Sequence, residues 1–66
     1  MRVKVDRQSD TLYFRLDEKR IVESEEVRPG IVLDFDENDC VVGVEFLQIS
    51  QRATSEELST MKFQTA

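Results

Sequence analysis

Gly30-Ile31-Val32-Leu33-Asp34-Phe35-Asp36-Glu37-Asn38-Asp39-Cys40-Val41-Val42-Gly43-Val44-Glu45-Phe46-Leu47-Gln48-Ile49 is the stretch that decides how this chain folds. Apolar and polar residues alternate on both sides of Asn38-Asp39, a pair that favours a tight turn because both side chains can bond their own backbone. With those two residues as the loop, Glu37 faces Cys40, Phe35 faces Val42, Leu33 faces Val44 and Ile31 faces Phe46. Side chains alternate along a strand, so these apolar partners share one face, and a slip of one residue would set Asp34 and Asp36 against the same valines. The other face carries Val32, Asp34 and Asp36, then Val41, Gly43, Glu45, Leu47 and Ile49. The second strand is apolar on both sides towards its end and therefore calls for cover on both.

Working outward, Arg2 to Asp6 and Thr11 to Leu16 also alternate, with Arg7-Gln8-Ser9-Asp10 between them as a turn. Pairing Asp6 with Thr11 sets Val5 opposite Leu12, Val3 opposite Phe14 and Met1 opposite Leu16, with Arg2, Lys4, Tyr13 and Arg15 on the outer face. Ile21 to Val27 holds too many carboxylates to be buried and reads as a partly exposed strand. Pro29 cannot donate to a ladder and Gly30 permits positive φ, so Arg28-Pro29-Gly30 ends that strand. After Ile49 the pattern changes. Thr54 and Glu57 stand at capping-box spacing, and Leu58 and Met61 share one face of the helix that follows.

These pieces predict a mainly β (α+β) fold in one domain, 1–66. It is an antiparallel meander of about five strands (2–6, 11–16, 21–27, 31–36, 41–49) with a short C-terminal helix (55–62). Its core is Ile31, Leu33, Phe35, Val42, Val44 and Phe46 together with Val3, Val5, Leu12, Phe14 and Leu16. The apolar face is expected to be closed by curling, by the helix through Leu58, Met61 and Phe63, or by a second subunit.

Size and composition narrow the function. A chain of 66 residues buries only about 60% of its extended surface, so its core is marginal and usually needs a disulfide, a metal or self-association. One cysteine forms no internal disulfide, and the absence of histidine disfavours a structural zinc site. A homodimer is the remaining expectation. The net charge of −5 disfavours general nucleic-acid binding. No apolar segment suits export or a membrane span, so a cytoplasmic location and no membrane contact are expected. Cys40, beside a turn and among acidic residues, lacks the cationic surroundings of a nucleophilic thiolate.

Three groups of residues together resemble a small prokaryotic family, domain of unknown function 2283. They are Asp6 and Asp10 with Leu12-Tyr13; Pro29-Gly30-Ile31 with Leu33-Asp34 and Asp36; and Val42-Gly43 with Glu45. The likeness runs from Val3 to Ile49 and departs from the family's usual Asp-Gly turn, where this chain has Asn38-Asp39. It implies no established activity. Some members of the family are thought to be encoded beside small toxin-like proteins, which implies an antitoxin-like role.

Two functional readings follow. The first is a non-catalytic protein-interaction module, not an enzyme and without a cofactor. It would act through an interface of Val32, Asp34, Val41, Glu45, Leu47 and Ile49 with Arg2, Lys4, Tyr13 and Arg15. Basic residues on the first strands would meet acidic ones of a second copy across a twofold axis. The acidic segment from Asp17 to Glu26 would attract a basic, toxin-like partner. The second reading is a metal-dependent enzyme or metal-binding protein using Asp34, Asp36 and Glu45 as hard oxygen ligands. The first is preferred because no nucleophile, pocket or oxyanion stabiliser accompanies those carboxylates.

Overall fold

The computed structural model describes residues 1–66. Five strands form one antiparallel sheet: β1 (Arg2–Asp6), β2 (Thr11–Arg15), β3 (Glu23–Arg28), β4 (Ile31–Phe35) and β5 (Val41–Leu47). A single 3-10 turn (Ile49–Gln51) and one short helix, α1 (Ser55–Ser59), complete the chain. No helix is long and apolar enough to cross a membrane.

The fold class is the expected one, but the strand order is β1-β2-β5-β4-β3 rather than that of a simple meander. β5 lies in the middle, between β2 and β4, and the link after β2 carries β3 to the far edge. The composition of the strands accounts for this. Val41–Leu47 is the longest strand and carries the most apolar residues, and away from the edges it has a neighbour on each side. Glu23, Glu25 and Glu26 of β3 are exposed, and carboxylates on an edge strand discourage further pairing.

The β1–β2 register is the predicted one, Val3 against Phe14, Val5 against Leu12 and Asp6 against Thr11. In the β4–β5 hairpin Ile31 meets Phe46, Val32 meets Glu45 and Leu33 meets Val44, again as predicted. Nearer the turn the expectation fails. The register shifts after Asp34, so Phe35 pairs with Val41 and not Val42. The connection is longer than two residues because the Asp36 carboxylate organises it. Asp36 Oδ1 accepts the N–H groups of Asn38 and Cys40, both at 2.9 Å, while the Asp36 and Cys40 backbones also bond. Asp39 takes the left-handed conformation with φ 64°.

Other boundaries also move. β2 ends at Arg15 and β3 begins at Glu23, because Leu16 to Val22 forms the crossing link. Ile49 is not on a strand: Gln48 turns left-handed with φ 51° and sends it into the 3-10 turn. There its N–H donates to the Asp10 carbonyl, and Ser50 donates to both Asp10 carboxylate oxygens. α1 spans five residues rather than 55–62. The predicted capping box is present: Thr54 Oγ1 accepts from the Glu57 N–H, and Glu57 Oε1 accepts from the Thr54 N–H.

Paired residues point to the same side of a sheet, so the register defines two faces. One carries Val3, Val5, Leu12, Phe14, Ile31, Leu33, Phe35, Val44 and Phe46, with Phe14 edge-to-face on Phe46 at 6.4 Å. All are half-buried, and among apolar residues only Val42 and Ile49 are sealed. The helix is tied to the β1–β2 turn, at one end of the sheet, where Arg7 donates to the hydroxyls of Ser55 and Ser59 at 2.8 Å, and its Leu58 and the following Met61 are half-buried. Phe63 is 73% exposed and Leu16 also stands open.

Candidate functional site

The two deeply buried charged groups are Asp34, on the opposite face, and Asp36, in the β4–β5 turn. Asp34 projects from β4 toward Tyr13 of β2, with Gly43 of β5 between them. A glycine inside a strand often marks a close approach by another group, and Gly43 does so here. A Cβ on it would lie 2.5 Å from Tyr13 Oη and 2.8 Å from Asp34 Oδ2. Through this gap the Tyr13 hydroxyl donates to Asp34 Oδ2 at 2.8 Å, while Ser24 of β3 donates to Asp34 Oδ1 at 2.5 Å. Arg15 adds a longer contact to Tyr13 Oη at 3.4 Å. One polar chain therefore crosses four strands, and both oxygens of a carboxylate left only 8% exposed are satisfied.

The electrostatics follow from this packing. Burial pushes the Tyr13 phenol above its usual 10.0, and the neighbouring Asp34 charge acts in the same direction while Arg15 opposes it. The bond to Tyr13 also raises the Arg15 guanidinium. Arg15 further donates from Nε to the Asp17 carbonyl at 2.6 Å and from Nη2 to the Lys19 carbonyl, holding the link that leads to β3. Arg2 makes a fork with Glu18, at 2.8 and 2.9 Å, which lowers the Glu18 pKa. Asp6 is lowered by the N–H groups of Ser9 and Gln8 that its Oδ1 accepts in the first turn.

The residues singled out in the sequence thus divide. Tyr13, Asp34 and Arg15 come together. Glu45 sits on the same face, paired with both Tyr13 and Val32. Asp36 does not join them. It is 3% exposed, closes the hairpin through Oδ1, and has its Oδ2 buried without a hydrogen-bond partner. Asp34, Asp36 and Glu45 therefore share no point to which all three could coordinate, and no three His, Cys, Asp or Glu side chains are grouped to hold an ion. Ile49, expected at an interface, is covered by its own chain, whereas Val41 at the start of β5 is 37% exposed. Arg2 and Lys4 are exposed, and Val32 and Leu47 are half-buried.

Ser24 and the Asp10–Ser50 anchor escaped the sequence reading. Ser24 lies in a segment without clean alternation, and only strand order brings it to Asp34. The hollows of the surface are open. One of about 340 Å³ is lined by Lys4, Asp6, Tyr13, Asp34 and Glu45, one of about 280 Å³ by Lys19, Arg20 and Asp36, and one of about 680 Å³ lies between the Pro29-Gly30 turn and Gln51 and Arg52.

These positions explain a pattern in the chain. Asp6 closes the first turn, Asp10 anchors the C-terminal arm, and Gly30 turns with φ 79°. Asp34, Asp36 and Gly43 have the roles given above. Each holds backbone or another strand in place. Searches of curated proteins and of solved structures return no match. A family model described as protein of unknown function (DUF2283) does match, over residues 2–50, and the chain belongs to that family.

Proposed function

We propose that this chain is a non-catalytic protein-interaction module that works as a homo-oligomer, in an antitoxin-like role toward a basic partner. The observation that carries the reading is the use of its buried and turn carboxylates. Asp34, Asp36 and Asp10 accept hydrogen bonds that hold strands, hairpin and C-terminal arm together. Asp34 borders an open hollow with Tyr13 and Glu45, but both of its oxygens, like Asp36 Oδ1, already accept hydrogen bonds that hold the fold, where acid–base chemistry would need a free oxygen facing a substrate.

The β3 edge adds acidic charge that the fold does not use. Glu23 and Glu25 are exposed and have no hydrogen-bond or ion-pair partner in the chain, while Glu26 accepts the Gly30 N–H. An acidic rim of this kind steers a positively charged surface and weakens with salt.

The test is co-purification of the protein with the product of its adjacent gene at low and high salt, using wild type and a Glu23→Lys/Glu25→Lys variant. Retention at low salt that is lost in the variant supports the reading. No retained partner, or retention indifferent to both salt and charge reversal, refutes it.

A further inference from the structure

The open apolar face is the largest feature of the molecule that the polar site leaves unexplained. We propose that a second copy of this chain closes it, the two sheets stacking face to face with β1 of one protomer over β3 of its partner. This rests on the homo-oligomeric part of the reading above and moves the contact from the polar face to the apolar one.

Three observations carry it. First, the register gathers Val3, Phe14, Leu33, Phe35, Val44 and Phe46 on one side, where none is fully buried, and α1, only five residues long, is tied by Arg7 to the β1–β2 turn at one end of the sheet. Second, the chain is too open for a finished monomer. Its accessible surface is 5221 Å², where a folded monomer of this mass exposes about 4,300 Å². Its radius of gyration is 12.7 Å, against about 10.8 Å for a compact chain of this length. The surplus surface, about 900 Å², is shared between the tail after α1 and the open face. One partner's share of a standard interface is about 800 Å², so the face and the tail together expose a surplus on the scale that one side of a stable dimer covers.

Third, the shape and charge of the face suit its own copy. Two twisted sheets with the same twist pack aligned, about 10 Å apart, with inward side chains interdigitating. Such a contact between identical surfaces is isologous. The rim fixes its orientation. Glu23 pairs with Phe35 and Glu25 with Leu33, so both carboxylates border the apolar face along β3. A twofold axis running across the strands would set β3 on β3 and bring four carboxylates together. An axis parallel to the strands places each acidic rim beside the partner's β1, whose side of this face bears Val3 and Val5. The polar face offers no comparable drive, since Tyr13 and Ser24 already satisfy both oxygens of the buried Asp34 carboxylate.

Sedimentation over about 1–100 µM protein is the first measurement, with a mass of twice the 7.7 kDa chain expected. Phe14→Glu should abolish the dimer and Lys4→Glu, on the polar face, should leave it. Because Phe14→Glu can unfold the chain, orientation is read separately from conservative or exposed sites in a Cys40→Ser background. A thiol cross-linker spanning about 10 Å, the distance between stacked sheets, should join Val3→Cys to Glu25→Cys when the two proteins are mixed. It should not join Glu25→Cys to itself, because the two β3 strands then lie four strand spacings, about 19 Å, apart sideways. A monomer at every concentration, a dimer broken by Lys4→Glu, or self-linking of Glu25→Cys overturns the inference. A monomer that still holds a basic partner in a salt-sensitive way sinks only this stacking. A cross-linked dimer that binds no partner sinks only the partner reading.

Discussion

Replacing Gly43 by alanine should destabilise the protein, although a glycine-to-alanine change in a strand ordinarily helps. Gly43 has no positive φ, so alanine meets no backbone strain there and should gain about 0.5–1 kcal/mol from the reduced freedom of the unfolded chain. Against this, the new Cβ would sit 2.5 Å from Tyr13 Oη, 2.8 Å from Asp34 Oδ2 and 3.1 Å from Tyr13 Cζ. The tyrosine is rigid and cannot fold its tip away without moving the ring, so the Tyr13–Asp34 hydrogen bond breaks. A bond to a charged acceptor is worth about 1.5–3 kcal/mol, and Asp34 would be left buried with Ser24 alone. The net is a loss of about 1–2 kcal/mol, or a fall in Tm of about 5–15 °C for a domain of this size. Urea and thermal melts followed by circular dichroism, at one fixed protein concentration, measure it directly. The double variant Tyr13→Phe/Gly43→Ala adds a sharper criterion. Once the hydroxyl is gone the added methyl loses its worst contact, so the two effects should fall short of additive by about 1 kcal/mol. A Gly43→Ala protein as stable as wild type, or strict additivity with Tyr13→Phe, would show that the polar chain across the sheet does not hold it together.

Three further outcomes follow from the same geometry. Tyr13 is the only tyrosine and its pKa is raised in the fold, so its stabilising contribution is fully present below pH 10 and lost as pH rises through the folded value. Phenolate absorbance should titrate above pH 10 together with a drop in melting temperature, and Tyr13→Phe should remove that alkaline drop; titration at or below 10 would contradict the burial. Asp36→Ala should lower stability by about 2–3 kcal/mol, since two backbone N–H groups of the hairpin lose a charged acceptor, and an unchanged urea midpoint would count against its role in the turn. Thr54→Ala removes a cap worth about 0.5–2 kcal/mol to a helix, yet α1 is short and tied to the rest mainly through Arg7. Amide exchange in Ser55–Ser59 should therefore quicken while the global midpoint stays put, and a global shift would mean that the helix is part of the cooperative core.

How much of this was legible beforehand depends on the range of the interaction concerned. Alternation fixed the pairing of β1 with β2 and most of the β4–β5 hairpin, because a half-buried strand has a period of two and tolerates no slip. The capping box was legible for the same reason: Thr54 and Glu57 interact over three residues. The shift at Phe35 was not, since an aspartate that gathers its own turn looks in sequence like any other acidic residue of a loop. Asp34, Asp36 and Glu45 looked like one carboxylate group because they lie close along the hairpin. The register shift and the turn separate Asp36 from the other two.

Strand content and the two-faced character of the sheet were thus written in the sequence, through local alternation and turn chemistry. The position of β5 at the centre was decided only in three dimensions, where the longest strand, with the most apolar residues, finds two neighbours and the most acidic one is left at an edge. That arrangement brings Tyr13, Gly43, Asp34 and Ser24 into a single line across four strands. No spacing along the chain encodes that line, because its members meet through side chains that strand pairing brings side by side and not through the backbone that joins them.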